Sequence, residues 1–343
     1  MKVGILTLYS AFNCGAYLQA YALQKSIKGL GHDVEFINLS NKSSNLKRLR
    51  TMLSKSPAKM AFNLSKYKAF HHAWKSLNIS DESYSKTRSY YDAIVIGSDE
   101  VWNVKNKTFA VMPEYYGQGL NSKRIITYAP SSSSTTFTDI ENDAEIVESL
   151  RNITHFSARD KNTFEIIEKV AKKPATMVLD PTFLVDYDEE EDRGKRRPGT
   201  RGYILVYTYQ FDAIKIKKTK DFAKLRGLDL ISPCFYNNWC DHTVASTPFE
   251  FLGLIRNAEY VVTDTFHGSI FSILYKKQFG TFGAEKVKVS ALLSMLGLSA
   301  RELGFSDNIA SIMDEPIDYD ALQTLIEQER GVSLNYLNKS LSK

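Results

Sequence analysis

The sequence predicts an α/β protein with two similar domains, each built from parallel strands alternating with helices. Apolar, β-branched runs alternate with segments of helical periodicity along most of the chain. Polar side chains directly follow many of these runs, as happens where parallel strands end at the ligand-binding edge of a sheet. Near the middle, the charged segment Asp186–Thr200 interrupts the pattern and is interpreted as an interdomain linker.

The composition is that of an ordinary globular protein. The 343 residues are 43% apolar and 24% charged, which suffices for two domains with large cores. No apolar run approaches about eighteen residues, and the opening MKVGILTLYS has no cleavage site after it, so a first strand and a cytoplasmic location are expected. The cysteines Cys14, Cys234 and Cys240 are too scattered to predict disulfides, and adding His242 makes only a weak case for zinc.

The first predicted unit is a strand at Lys2–Leu8, a polar loop at Tyr9–Gly15 and a helix that ends near Gly29. The next strand is Asp33–Leu39. The loop has no GxGxxG pattern, which disfavours a nicotinamide or flavin site. Its backbone at Asn13–Ala16 leads into a helix and therefore suits an anionic or sugar ligand.

A basic helical insertion is predicted at about residues 42–75. No acidic residue occurs between Phe36 and Ser80, whereas lysines and arginines are interleaved with apolar residues. Two interpretations remain open: a solvated hairpin packed on the first domain, or a surface that rests on anionic lipid headgroups. Nucleic acid is not expected as a partner, because the net charge is only +5 and no binding motif accompanies the insertion.

Polar groups follow four further predicted strands of the first domain, and they would line one rim of a cleft. These groups are Ser98, Asp99, Glu100 and Trp102 after Tyr91–Gly97, Ser131–Ser134 after Ile125–Tyr128, Arg159 and Asp160 after Ile153–Ser157, and Asp180 after Met177–Leu179. The alternative is that Ser98, Asp160 and Asp180 are only helix caps or turn formers.

The second domain is predicted to resume the alternation of strands and helices. Strands are expected at Tyr203–Tyr207 and Leu228–Ile231, and helices at Ala213–Leu225 and Pro248–Asn257. A short helix at Ser290–Leu298 and a C-terminal helix with a polar tail follow.

The segment Glu259–Gly280 is interpreted as the anchor of the active site. An apolar strand stops at a polar turn, Thr263–Ser269, and a helical pattern starts just beyond it. The turn offers a carboxylate, hydroxyls, an imidazole and helix N-terminal amides that would stabilise a phosphate or carboxylate. The alternative is that Asp264 and Thr265 merely cap the helix and that His267 is a half-buried histidine.

Six motifs together resemble the polysaccharide pyruvyl transferase family. They are NCGAYLQAYAL at 13–23, YDAIVIGSDEVWN at 91–103, ITYAPSSS at 126–133, SARD at 157–160, VLDPTFLV at 178–185 and FEFLGLIRNAEYVVTDTFHGSIFSILYKKQF at 249–279. The resemblance runs from residue 3 to about 298, and GSDxxW combined with DxFHG is its most specific part. It implies a GT-B-like fold, two Rossmann-like domains facing across a cleft.

The implied activity is transfer of pyruvate from phosphoenolpyruvate to a sugar as a cyclic ketal, with release of phosphate. His267, Asp264 and Asp99 are the expected catalytic residues, with Asp264 orienting the ring of His267. Arg159, Lys288 and the amides of Gly268 and Ser269 are expected to meet the anionic donor. The other expected substrate contacts are Thr265, Asn13, Gly15, Gln19, Ser98, Trp102 and Asp180. No metal or cofactor is expected.

The expected organisation places the acceptor on the first domain, residues 1–185, and phosphoenolpyruvate on the second, residues 201–343 with the C-terminal helix and tail. The acceptor would be a sugar of an exopolysaccharide or capsule, or its lipid-linked repeat unit at the inner face of the cytoplasmic membrane. Two alternatives remain: a GT-B glycosyltransferase that uses a nucleotide sugar, and a non-catalytic glycan-binding subunit.

Overall fold

The computed structural model describes residues 1–39, 50, 52–106, 111–187, 202–283, 286–304 and 308–342. Its first sheet has four parallel strands in the order β2-β1-β3-β4. These strands are β1 Lys2–Leu6, β2 Asp33–Phe36, β3 Ala93–Ile96 and β4 Ile125–Thr127. Two short parallel strands, β5 Phe156–Ala158 and β6 Ala175–Met177, continue this layer through a bridge between Ile126 and His155.

Helices cover the first sheet, and capping residues in the sequence mark where some of them begin. They are α1 Cys14–Gly29, α2 Pro57–Ala73, α3 Tyr84–Thr87, α4 Phe137–Ile140, α5 Ala144–Leu150 and α6 Lys161–Ile166. The side chain of Asn13 caps α1 by accepting a hydrogen bond from the Ala16 amide at 3.1 Å. The carboxylate of Asp160 caps α6 by accepting one from the Thr163 amide at 2.8 Å. The charged insertion is described at Arg50 and from Met52 onward, where it forms α2; residues 42–49 lie outside the described residues.

The second sheet has five parallel strands in the order β11-β10-β7-β8-β9. They are β7 Tyr203–Tyr207, β8 Asp229–Pro233, β9 His242–Val244, β10 Tyr260–Thr263 and β11 Gln278–Thr281. The accompanying helices are α7 Ala213–Arg226, α8 Pro248–Arg256, α9 Phe266–Leu274, α10 Val287–Met295, α11 Ile309–Asp314 and α12 Tyr319–Leu341. Every residue of β7 is buried, as its uninterrupted apolar sequence predicts.

Each sheet reverses its winding direction next to its first strand. In the first sheet the chain moves from β1 to one side and then to β3 on the other; in the second it moves from β7 to β8 and later to β10. Open α/β sheets bind ligands at such switch points, beyond the carboxyl ends of the strands. A ligand-binding site is therefore expected at the loops after β1, β3, β7 and β10.

The two domains share one apolar core and a covalent link. Phe249 of α8 packs edge-on against Tyr17 and Tyr21 of α1, with ring centroids 5.7 and 5.3 Å apart. A disulfide joins Cys14 to Cys234. No disulfide is expected from the scattered cysteines in the sequence. The two residues are 220 positions apart and meet because the strand-end loops of both domains face each other.

The C-terminal helix α12 returns to the first domain, although the sequence analysis groups it with the second. Tyr336 donates to the Thr127 carbonyl at 2.9 Å, and Ser333 accepts from the Leu179 amide at 2.9 Å. The helix buries Leu337 and Leu341 fully in the shared core. Its apolar face thus covers part of the first domain, which periodicity alone did not assign. Most of the predicted linker, 188–200, lies outside the described residues.

Candidate active site

The loops after β1, β3, β7 and β10 line one cleft of about 660 Å³. Both domains contribute to its walls. The lining residues used below are Leu8, Ala11, Phe12, Asn13, Asp99, Glu100, Tyr209, Asp264, Thr265, His267, Lys286 and Lys288. Of the catalytic residues expected from sequence, the structure thus brings His267, Asp264 and Asp99 into one cavity.

His267 is held at the start of α9, in close contact with the first domain. Thr265 caps the helix by accepting from the Gly268 amide at 2.9 Å, which places His267 in the first turn. The imidazole lies against Gly15 of α1: a β-carbon added there would fall 2.4 Å from its Cγ. Gly15 is therefore needed for the space it leaves to the ring.

A buried charge network lies under His267. Arg159 donates through Nη1 to Asp180 and, at 3.0 Å, to Ser98, and through Nη2 to Asp99 at 3.3 Å. Its side chain is only 2% exposed. Burial opposes the charged form, but the surrounding carboxylates, Asp180 first, raise the pKa of Arg159 above its ordinary value. Arg159 thus fixes two carboxylates at the cleft floor.

Asp180 is the carboxylate that the structure pairs with His267. Its Oδ2 lies 3.7 Å from Nε2 of the ring, and this nitrogen has no hydrogen-bond partner among the described residues. Burial alone would raise the pKa of Asp180, but Arg159 and His267 hold it far below its ordinary value. An ionised carboxylate thus lies against the buried Nε2 edge of the His267 ring.

Asp264 lies beside a lysine instead of orienting the imidazole. Its Oδ2 accepts from Lys286 at 2.8 Å, while its buried Oδ1 has no partner among the described residues. Asp264 is expected from the sequence to orient His267, but the carboxylate beside the ring is that of Asp180. Asp264 instead fixes a cation at the cleft wall.

Lys288 forms an ion pair across the cleft with Glu100 of the first domain. Burial would raise the pKa of Glu100, but Lys288 and a hydrogen bond from Asn103 lower it to about 2. Glu100 is expected from the sequence only as a polar group of the cleft rim, without a role at the site, and Lys286 is not expected there. The signal was present, since Glu100 follows Asp99 and Lys286 stands two positions before Lys288.

Several expected contacts lie away from the ligand space. Trp102 is fully buried and donates to the Tyr115 carbonyl at 2.7 Å. Gln19 is fully buried and donates to Thr7 at 3.1 Å. The Ser269 amide donates within α9 to the Thr265 carbonyl at 3.1 Å, and the Gly268 amide is taken by the Thr265 cap. The two amides expected to bind phosphate are thus already engaged.

Three aromatic residues of the cleft region were also missed. Asn13 donates to the hydroxyl of Tyr209 and accepts from Tyr207 at 3.2 Å, which ties the α1 cap to the loop after β7. Phe12 also lines the cleft. Tyr207 ends a predicted strand and Tyr209 follows it, so the strand-end rule applied elsewhere would have found them.

The sequence profile of the polysaccharide pyruvyl transferase family matches residues 13–284. This range includes the cleft loops after β3, β7 and β10 and the start of α1. The chain belongs to the polysaccharide pyruvyl transferase family. The family assignment supports a transferase, as the six motifs predict. No curated protein shows significant sequence similarity to this transferase.

Solved structures that resemble this transferase share its fold at low sequence identity. They include the UDP-GlcNAc 2-epimerase of Neisseria meningitidis bound to UDP-GlcNAc, with TM-score 0.54, 8% identity and 99% coverage of both chains. A putative UDP-N-acetylglucosamine 2-epimerase of Listeria monocytogenes has TM-score 0.53 and 9% identity, covering 94% of this chain and 90% of its own. A spinosyn rhamnosyltransferase has TM-score 0.51 and 10% identity, covering 99% of both. These likenesses confirm the predicted GT-B-like fold.

The part of the chain that the structure describes has neither a membrane-spanning helix nor a clustered metal-ligand set. No helix there is both long and apolar enough to cross a bilayer. No group of three or more histidine, cysteine, aspartate or glutamate side chains is arranged there to hold a metal ion.

Proposed function

We propose that this transferase moves pyruvate from phosphoenolpyruvate onto two hydroxyls of one sugar, forming a cyclic ketal and releasing phosphate. The observation that carries the proposal is the pairing of His267 with the buried, ionised Asp180 in a cleft that also presents Lys286 and Lys288. The cleft thus combines a proton donor with two cations, and phosphoenolpyruvate carries two anionic groups.

In the first half of the reaction, the His267 imidazolium gives a proton to the methylene carbon of phosphoenolpyruvate. A sugar hydroxyl then bonds to the adjacent carbon and loses its proton. In the second half, the bond from this carbon to the phosphate oxygen breaks, phosphate leaves, and the second hydroxyl closes the ketal with loss of its proton. Asp180 stabilises the charged ring, and Asp99, which lines the cavity, accepts a hydroxyl proton.

The donor anions are bound by lysines that now face carboxylates. Lys286 pairs with Asp264 and Lys288 with Glu100. Their side chains are 39% and 24% exposed, so both reach the cavity without unfolding of the surrounding elements. Phosphate and carboxylate groups of the donor replace the protein carboxylates as partners. Arg159 acts from beneath by fixing Asp180 and Asp99.

The acceptor is the sugar of a polysaccharide or of its lipid-linked repeat unit. In the described part of the insertion, Lys59 and Lys68 of α2 and Lys75 just after it are exposed, and Leu64 is 58% exposed. Cations with an apolar residue among them suit an anionic membrane surface. Contact there would bring the cleft to the inner leaflet of the cytoplasmic membrane, where a lipid-linked acceptor is available.

Mass spectrometry of candidate glycans incubated with phosphoenolpyruvate and protein tests the reaction directly. We expect a product heavier by one pyruvate ketal, together with phosphate in equal amount. Parallel incubations with UDP-sugars provide the comparison. Glycosyl transfer from a UDP-sugar without any ketal would support the glycosyltransferase alternative, and binding without phosphate release would support the non-catalytic alternative.

A further inference from the structure

Tyr209 presents an open aromatic surface inside the cleft. It follows β7 at the carboxyl edge of the second sheet and is 61% exposed. An isolated exposed aromatic residue needs no explanation on a protein surface. Tyr209 differs because it lines the same cavity as His267 and Lys288.

The ring of Tyr209 is held at its tip and on one side. Asn13 donates to its hydroxyl, and the same Asn13 is fixed by capping α1 and by accepting from Tyr207 at 3.2 Å. Phe235 packs against the ring, with centroids 4.3 Å apart at an interplanar angle of 46°. Tyr209 is therefore preorganised, and a ligand that covers its open surface orders little additional side chain.

The cleft has an apolar region near Tyr209 in addition to its charged groups. Leu8, Ala11 and Phe12 add apolar surface on the first domain. Phosphoenolpyruvate is small and anionic and has no ring that could stack on an aromatic side chain. The cavity of about 660 Å³ is much larger than that donor, so it has room for a second ligand.

We propose that Tyr209 is the platform on which a pyranose ring of the acceptor stacks, its C–H face on the aromatic ring and its hydroxyl edge toward Asp99. A pyranose has one apolar C–H face and an edge of hydroxyl donors. Tyrosine suits such a ligand because its flat apolar ring offers a large contact area and loses little rotamer entropy on binding. The later conversion of the bound sugar to a ketal rests on the proposed function, whereas the stacking itself does not.

Saturation-transfer NMR without phosphoenolpyruvate tests the platform, using methyl α-glucopyranoside, methyl α-galactopyranoside and methyl α-mannopyranoside as probes. With the wild-type protein, we expect saturation of ring C–H protons for at least one probe. Tyr209→Ala should weaken its binding at least about tenfold, the loss of one stacked aromatic contact. Tyr209→Phe keeps the ring and should stay within about threefold. Tyr90→Ala removes an aromatic that is 53% exposed outside the cleft lining and should change nothing.

Two results would overturn the platform. One is unchanged hexopyranoside saturation in a Tyr209→Ala protein whose melting temperature matches the wild type. The other is saturation of UDP base protons that is lost in Tyr209→Ala while no hexopyranoside binds, which would assign the ring to a nucleotide. Normal sugar binding in a protein that never releases phosphate would count against the proposed reaction and leave the platform intact.

Discussion

The imidazole of His267, from the second domain, occupies the space that a β-carbon on Gly15 of the first domain would fill, with only 2.4 Å between that carbon and Cγ of the ring. Gly15→Ala should therefore displace the ring without removing any polar group. We expect kcat to fall about 100-fold, since a shift of about 1 Å costs that much. Steady-state kinetics and a melting curve measure both effects.

Gly29→Ala is the matched control, because it lies at the other end of α1 with nothing within 4 Å of the added carbon. It should leave kcat unchanged. Equal kcat values for the two variants would show that the contact between Gly15 and His267 does not position the ring.

His267→Ala should abolish turnover and leave the fold intact. A positioned acid or base contributes roughly 100- to 10,000-fold, and truncation of one buried side chain typically costs about 0.5–3 kcal/mol of stability. Phosphate release at saturating donor gives the rate, and near-ultraviolet circular dichroism reports the fold. His242→Ala, at a histidine of β9, is the control. A His267→Ala protein with a near-normal rate would remove this residue from the mechanism.

Lys288→Ala should raise the KM for phosphoenolpyruvate more than the KM for the sugar, because the donor is the more highly charged ligand. Glu100→Gln removes the carboxylate that holds Lys288. This second change should lower the donor KM, since the lysine no longer has to leave an ion pair. The reverse ordering of the two KM effects in Lys288→Ala would move this residue to the acceptor side.

Lys66 is a buried cation whose ammonium lies 4.9 Å from the ring centre of Phe235, and burial lowers its pKa to about 7. Below about pH 7 it is charged in the folded and unfolded states, and folding bears the full cost of burying the charge. As the pH rises from about 7 toward 10.5, the folded protein loses this proton before the unfolded chain does, so stability rises.

Lys66→Met should therefore stabilise the protein most at about pH 6 and progressively less toward about pH 10. The upper limit of the gain is about 5 kcal/mol, because one pKa unit corresponds to about 1.4 kcal/mol. Urea unfolding at several pH values measures it. Lys68→Met, at an exposed position of the same helix, should show no such trend. A gain that is equal at both pH extremes would refute the buried-charge interpretation.

Serine at Lys59, Lys68 and Lys75 should weaken sedimentation of the protein with anionic liposomes. Exposed charges are screened over about 8 Å at physiological ionic strength, so binding by the unmutated protein should fall steeply as salt rises. Binding to neutral liposomes should be nearly absent.

The control replaces Lys217, Lys220 and Lys224, which are exposed on α7 of the second domain, by serine. This triple variant has the same net charge as the first one. If both variants bind alike, or if the unmutated protein ignores anionic liposomes at low salt, α2 is a solvated face and the acceptor is a soluble glycan.

Local patterns predicted the fold class and the position of the cleft. The apolar run before Asp264 and the helical spacing after His267 gave the strand, turn and helix of the anchor, which are β10 and α9. The rule that polar groups at strand ends share one rim placed Asp99, Asp180 and Arg159 near one another.

Contacts between distant segments could not be predicted in this way. The partner of His267 is Asp180, not the neighbouring Asp264, because the buried guanidinium of Arg159 fixes Asp180 beneath the ring. The pairing of Cys14 with Cys234 depends on how two domains face each other. No periodicity within either segment carries that information.

The return of α12 to the first domain determines when that domain can be completed during synthesis. Its Thr127 carbonyl is bonded by Tyr336, and its Leu179 amide by Ser333. The ribosome delivers these partners only after the entire second domain has emerged. Until α12 has been synthesised, the first domain therefore exposes the apolar surface that this helix covers. A chain that stops before α12 would leave the first domain incompletely packed.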